Sequence, residues 1–147
     1  MKMQSLRGLG ACVAVFGVLF GTFAPRPTPH APPRVDGYWI LAGDFHVHAF
    51  PGDGSLLPSS LRDEAARTGL DVFAVTNHNQ VFTARFAARQ SAASEGPIVL
   101  PGEEITNPDY HLIAVGIARK VDGNQPAARA IADVHRQGGV AIAAGDL

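Results

Sequence analysis

The stretch "GDFHVHAFPGDG", Gly43 to Gly54, carries two histidines one residue apart, with Asp44 before them and Asp53 after them. Imidazole and carboxylate are the side chains that hold borderline divalent metals when thiolates are missing. Thiolates are missing here: the only cysteine in the chain is Cys12. In an extended strand, side chains at i and i+2 share a face, so His46 and His48 can reach one ion. The same spacing also suits a half-buried strand. The choice depends on whether later segments bring more donors to the same place.

They offer several. His78 stands in "TNHN", Glu104 in "PGEEIT", and His111 opens "YHLIAVGI". Asp53 lies in "PGDG", where the glycines let the chain turn back. Taken singly, each has a bland reading. His78 could be a turn residue, Glu103 and Glu104 an exposed acidic pair, and His111 a hydrogen-bonded core histidine. Together, four histidines and two carboxylates near strand ends are hard to explain by packing, because burying unpartnered polar groups is costly. His135 fits none of this and reads as an exposed helix residue.

The elements that must position these donors alternate. "YWILAGDFHVHA" (38–49) reads as one strand. "PSSLRDEAARTG" (58–69) reads as a helix capped by Ser59 or Ser60, with Asp63 and Glu64 in its first turn and Gly69 at its end. "LDVFAVTNH" is an apolar strand buried on both faces. "VFTARFAARQSAAS" is a second helix, and "PIVLPGEEIT" a strand broken or bent near Pro101-Gly102. "YHLIAVGI" is a further strand, "QPAARAIADVHRQGG" a third helix and "VAIAA" a last strand. This order predicts an α/β fold with a largely parallel sheet or barrel, in which functional groups collect at the carboxyl ends of strands.

Length and charge narrow the class. The chain has 147 residues and a formal net charge of -1, which fits one domain and gives no basic excess for nucleic acid. Lys2 and Arg7 precede an uncharged run at residues 8–24. That is the pattern of a signal peptide or signal anchor. Seventeen helical residues would span about 25 Å, a little short of a roughly 30 Å hydrocarbon core. Pro25 would be the first mature residue and disfavours cleavage, so an uncleaved anchor in residues 1–24 is expected over a signal peptide. Cys12 reads as a small apolar residue of that run. The positive charges place the body outward, on the periplasmic or extracellular side. Residues 25–36, rich in proline and containing His30, read as a stiff linker.

In order, "GDFHVHAFPGDG", "VTNHN", "PGEEIT…H" and "GGVAIAA" resemble the motifs of the PHP (polymerase and histidinol phosphatase) superfamily. "WILAGDFHVHA" with "TGLDVFAVTNHN" and "PGEEIT" looks most like its CehA/McbA-type metallohydrolase branch. The resemblance covers about residues 38–144. It implies a distorted (β/α)7 TIM-like barrel with two or three divalent ions (zinc, manganese or iron) at the strand C-termini. By that resemblance His46, His48 and Glu104 hold one ion, Glu104 bridges to a second that His111 also binds, and Asp53 and His78 contribute to a third. Asp44 would orient a ligand histidine from behind, and Asn77 stands where the family usually has aspartate. Bound ions would lower the pKa of water for hydrolysis of a small phosphoester or a carboxylic or carbamate ester. Where the family continues with His-Pro, this chain has Gly145 and Asp146 and stops at Leu147. Residues 37–147 are therefore expected to form the N-terminal part of an incomplete barrel preceded by an apolar helix. The alternative reading is a non-catalytic metal-binding or interaction fragment.

Overall fold

The computed structural model describes residues 31–145. The targeting segment expected at 1–24, the first half of the proline-rich stretch with His30, and Asp146 and Leu147 lie outside the described residues. No helix among the described residues is long and apolar enough to cross a membrane.

The first segment is two strands where the sequence predicts one. β1 (Arg34–Val35) and β2 (Tyr38–Trp39) pair antiparallel, so the end of the stretch read as a linker is part of a hairpin. Asp36 and Gly37, at φ 49° and 86°, make the left-handed turn between them. The chain re-enters a sheet only at β3 (Gly43–Val47). There the register slips by one residue, with Asp44 opposite Phe73 but Val47 opposite Val75. Such a bulge re-aims side chains.

α1 (Pro58–Thr68) ends at Gly69, whose φ of 82° is the left-handed cap expected from the sequence. Its start differs. Leu57 is the N-cap, neither serine caps the helix, and no acidic residue falls in the first turn. Pro58 explains the shift, since proline at the first helical position supplies the fixed φ and lacks an N–H that would go unbonded there anyway. β4 (Val72–Val75) is buried throughout. α2 (Phe82–Ala92) follows, then β5 (Ile98–Asn107), β6 (Tyr110–Val115), α3 (Ala127–Arg136) and β7 (Val140–Ala143).

β3 to β7 form one five-stranded sheet in chain order. The expected largely parallel sheet is in fact mixed: β3–β4 and β4–β5 are parallel, β5–β6 and β6–β7 antiparallel. β5 is not broken at Pro101-Gly102. It changes partner there, pairing with β4 up to Pro101 and with β6 from Gly102 onward. Residues of β3 and β6 come within 8 Å of each other. Three strand spacings in a flat sheet would separate them by about 14 Å. The sheet is therefore curled, as an α/β half-barrel with three helices among the described residues.

The helices cover one face. Ala65 of α1 and Ala84 and Ala87 of α2 pack on Phe73, Val75 and Val99. Ala130 and Val134 of α3 pack on Ile105, Leu112 and Ala114, with Ile117 and Val121 from the loop after β6. On the opposite, concave face Ala74, Ile113 and Val115 form a smaller apolar cluster. Val140 and Ile142, opposite Val115 and Ile113 in register, remain 60% and 40% exposed.

Candidate metal centre

All six donor residues singled out in the sequence meet at one end of the concave face. β6 runs antiparallel to β5, so His111 at its start lies beside Thr106 near the exit of β5. A strand entry thus joins the strand exits. His78 follows β4 and bridges to Glu104. His46 and His48, two residues apart at the end of β3, lie on the same side, Nε2 to Nε2 at 3.1 Å.

Glu104 is the hub and is 3% exposed. Its Oε2 lies 3.1 Å from His46 Nε2, 3.1 Å from His48 Nε2 and 3.2 Å from His78 Nδ1. Its Oε1 lies 2.7 Å from His111 Nδ1. Burial disfavours the Glu104 charge, but hydrogen bonds from His46 and His111 and the proximity of His78 outweigh it and hold the carboxyl below the ordinary range.

His46 Nε2, His48 Nε2 and Glu104 Oε2 form an equilateral triangle of 3.1 Å sides. A hydrogen bond is directed along one line, whereas three donors mutually equidistant suit a single central cation. Metal–donor bonds of about 2.0–2.1 Å give ligand–ligand edges of about 3.3 Å in a tetrahedron and about 3.0 Å in an octahedron. The residues therefore fit a divalent ion, and the edge length falls between the two geometries. A second group, His48, Asp53 and His78, has the same capacity. Asp53 Oδ2 contacts His48 Nδ1 and lies 3.2 Å from His78 Nε2. What burial Asp53 has works against its charge, yet the His48 hydrogen bond, its own backbone amide and the two imidazoles keep its pKa low. The two groups share His48, which offers Nε2 to one and Nδ1 to the other. A proton on Nδ1 donated to Asp53 leaves Nε2 free for the triangle, an arrangement common around metal-binding histidines.

The two residues expected to support the ligands, Asp44 and Asn77, make backbone hydrogen bonds. Asp44 Oδ1 accepts the His46 main-chain amide at 3.0 Å, a bond to the backbone and not to the imidazole. Asn77 bonds to the backbone of residues 49–51. Glu103 and Glu104 are both buried, so the bland reading of an exposed acidic pair fails. They point to opposite faces, as strand alternation requires. Glu103 Oε1 accepts the Val121 amide at 2.6 Å. His135 is exposed on α3, as its sequence context predicts.

Sequence reasoning missed Thr106, whose Oγ1 lies 2.7 Å from His78 Nδ1. Its signal was its position, two residues after Glu104 on the same strand face. It also missed Asn79, which brackets Thr106 by accepting its N–H and donating to its C=O. Asn79 has φ 49°, a left-handed conformation that asparagine tolerates.

No family model matches the chain, and no curated protein does. Solved structures do. One is a two-domain protein from Bacteroides vulgatus described as containing a predicted PHP-like metal-dependent phosphoesterase. It is 26% identical with a TM-score of 0.66, and the match covers 80% of this chain and 38% of that one. An amidohydrolase from Chromobacterium violaceum is 28% identical with a TM-score of 0.44, over 65% of this chain and 34% of that one. The chain thus spans well under half the length of either protein. Together with the donor groups at one end of the half-barrel, the first match supports the PHP superfamily for this chain.

Proposed function

We propose that this chain carries the metal centre of a PHP-type hydrolase, of the CehA/McbA-type branch, acting on a small phosphoester or a carboxylic or carbamate ester. The observation that carries the reading is the triangle of His46, His48 and Glu104. These three residues hold one ion, Glu104 and His111 a second, and Asp53 with His78 reach toward a third. Zinc, manganese and iron all suit such a nitrogen and oxygen set. A bound divalent ion supplies Lewis-acid polarisation and activation of water near neutral pH. The chain's own part is to fix the donors. Asp44 pins the His46 backbone, Thr106 holds His78, and the apolar cluster of Ala74, Ile113 and Val115 floors the concave face.

Metal analysis after dialysis against zinc or manganese tests this reading. At least one ion should remain per chain, and it should be lost on joint His46→Ala and His48→Ala substitution. Metal-free protein after supplementation would overturn it. A second reading, metal binding without turnover, is supported by the sheet: among the described residues β3 and β7 each have one strand neighbour, so the site is walled on one side. Bound metal with no hydrolysis of p-nitrophenyl phosphate or p-nitrophenyl acetate would favour it.

The same proposal places the body outside the cytoplasmic membrane, exported or anchored through residues 8–24, because Lys2 and Arg7 precede that uncharged run. An alkaline phosphatase fusion after Asp36 should be active in a bacterial host. An inactive fusion retained in the cytosol contradicts the placement.

A further inference from the structure

Asn77 is 1% exposed and spends its whole carboxamide on one neighbouring segment. Its Oδ1 accepts the Ala49 amide at 2.7 Å. Its Nδ2 donates to Ala49 O at 2.8 Å and to Pro51 O at 3.0 Å. Pro51 O also accepts from Thr83 Oγ1 at 2.8 Å and Gln80 Nε2 at 3.1 Å. The approach is close: a Cβ added at Gly52 would sit 2.1 Å from Asn77 Nδ2, and one at Gly54 would sit 2.1 Å from His48 O. Residues 49–54 are therefore a strap fastened to the chain that follows β4. One end of the strap continues from His48 and the other carries Asp53, whose Oδ2 meets both His48 and His78.

We propose that Asn77 is a positioning residue: its carboxamide latches the strap so that Asp53 is set between His48 and His78. The chemistry of the latch is particular to an amide. An ionised aspartate of the same shape accepts hydrogen bonds but donates none. It would keep the Ala49 amide and turn an oxygen toward the carbonyls of Ala49 and Pro51. Asparagine thus supplies both the acceptor and the donors that the strap uses in this chain. Thr83 and Gln80 fasten the same carbonyl from α2 and the turn before it, so the latch has a secondary hold that Asn77 does not supply.

The inference rests on the metal-centre reading for its functional consequence, but it can be tested with and without metal. In metal-free protein at alkaline pH, 15N spectra of the His48 ring should show the Nδ1–H tautomer in the native chain. Asn77→Asp should move it toward a tautomer mixture, as should Asp53→Asn. In a Co2+ titration Asn77→Asp should weaken the Asp53-dependent ion by about 10–100-fold, the range for partners that orient ligands, while the ion held by the triangle changes by less than about threefold. Thr83→Val, which removes one donor to Pro51 O and keeps the side-chain shape, should shift both readouts in the same direction and less. A folded Asn77→Asp protein with the native tautomer and native Co2+ profile overturns the latch. So does uniform weakening of every ion while Thr83→Val behaves as native. If Asn77→Asp does not fold, Thr83→Val decides: an unchanged tautomer refutes the latch and a shifted one supports it. If the native chain binds no Co2+, the metal centre fails and the tautomer measurement alone decides the latch.

Discussion

Glu104→Ala should abolish the metal binding proposed for this site. Loss of partners that merely orient ligands costs about 10–100-fold in affinity, so loss of a carboxylate that touches the donors of both groups should exceed about 100-fold. The geometry gives the reason. One buried carboxylate meets His46, His48 and His78 through Oε2 and His111 through Oε1. Without it, Asp53 beside His48 and His78 is the one carboxylate left among the six donors to offset a cation. Glu104→Gln keeps the shape and one acceptor oxygen and should fall between native and alanine. Competition with a chromogenic chelator, using zinc and manganese, reads the change. Affinity within about threefold of native for the alanine variant would remove Glu104 from the centre of the site.

The second large effect concerns the neighbouring glutamate. Burial pushes Glu103 from the ordinary value of 4.5 up to about 7, against the opposing pulls of the Val121 amide and Lys120. Its Oε2 has no hydrogen-bond partner among the described residues, which makes the charged form the harder one to keep inside. Between those two pH values the folded chain holds a proton that the unfolded chain has released. Stability from this group is fully present below pH 4.5, declines as pH rises, and levels off above about 7. At about 1.4 kcal/mol per pH unit, the loss between pH 5 and 8 is about 3 kcal/mol. Urea unfolding of metal-free protein at both pH values measures it. Glu103→Gln, which retains an acceptor for Val121, should flatten the profile by that amount. Parallel profiles for the two proteins would show that Glu103 is not the group responsible.

The donors were legible because their residue types and strand positions could be read locally. His46 and His48 at i and i+2 fall on one face by the ordinary alternation of a strand. The reversal of β6 was not legible, since an apolar run such as "HLIAV" has the same pattern in parallel and antiparallel pairs. Yet the reversal is what brings His111 to Glu104. Gly37 is visible as a turn residue, but the two-residue strands it joins are too short for alternation to mark, and the Ile40 amide extends that hairpin to Pro33 O. Glu103 was unreadable for a similar reason. Adjacent glutamates look solvated until a distant loop, here at Val121, folds over one of them. Asn77 stood out only as a departure from a familiar pattern. Its partners at Ala49 and Pro51 are 28 and 26 residues away, beyond what periodicity can reveal.

The partner exchange along β5 also divides the site by the length of chain each half must close. Because β6 returns directly, Glu104 and His111 are separated by 7 residues, whereas His46 and Glu104 are separated by 58. Loop-closure entropy grows with the logarithm of the separation, so the longer closure costs about 2 kcal/mol more. The half of the site on the β5–β6 hairpin therefore closes with the smaller loss of chain freedom. The histidines of β3 complete it only once the curled sheet exists, so full capture of an ion becomes a report that the distant ends of the sheet have come together.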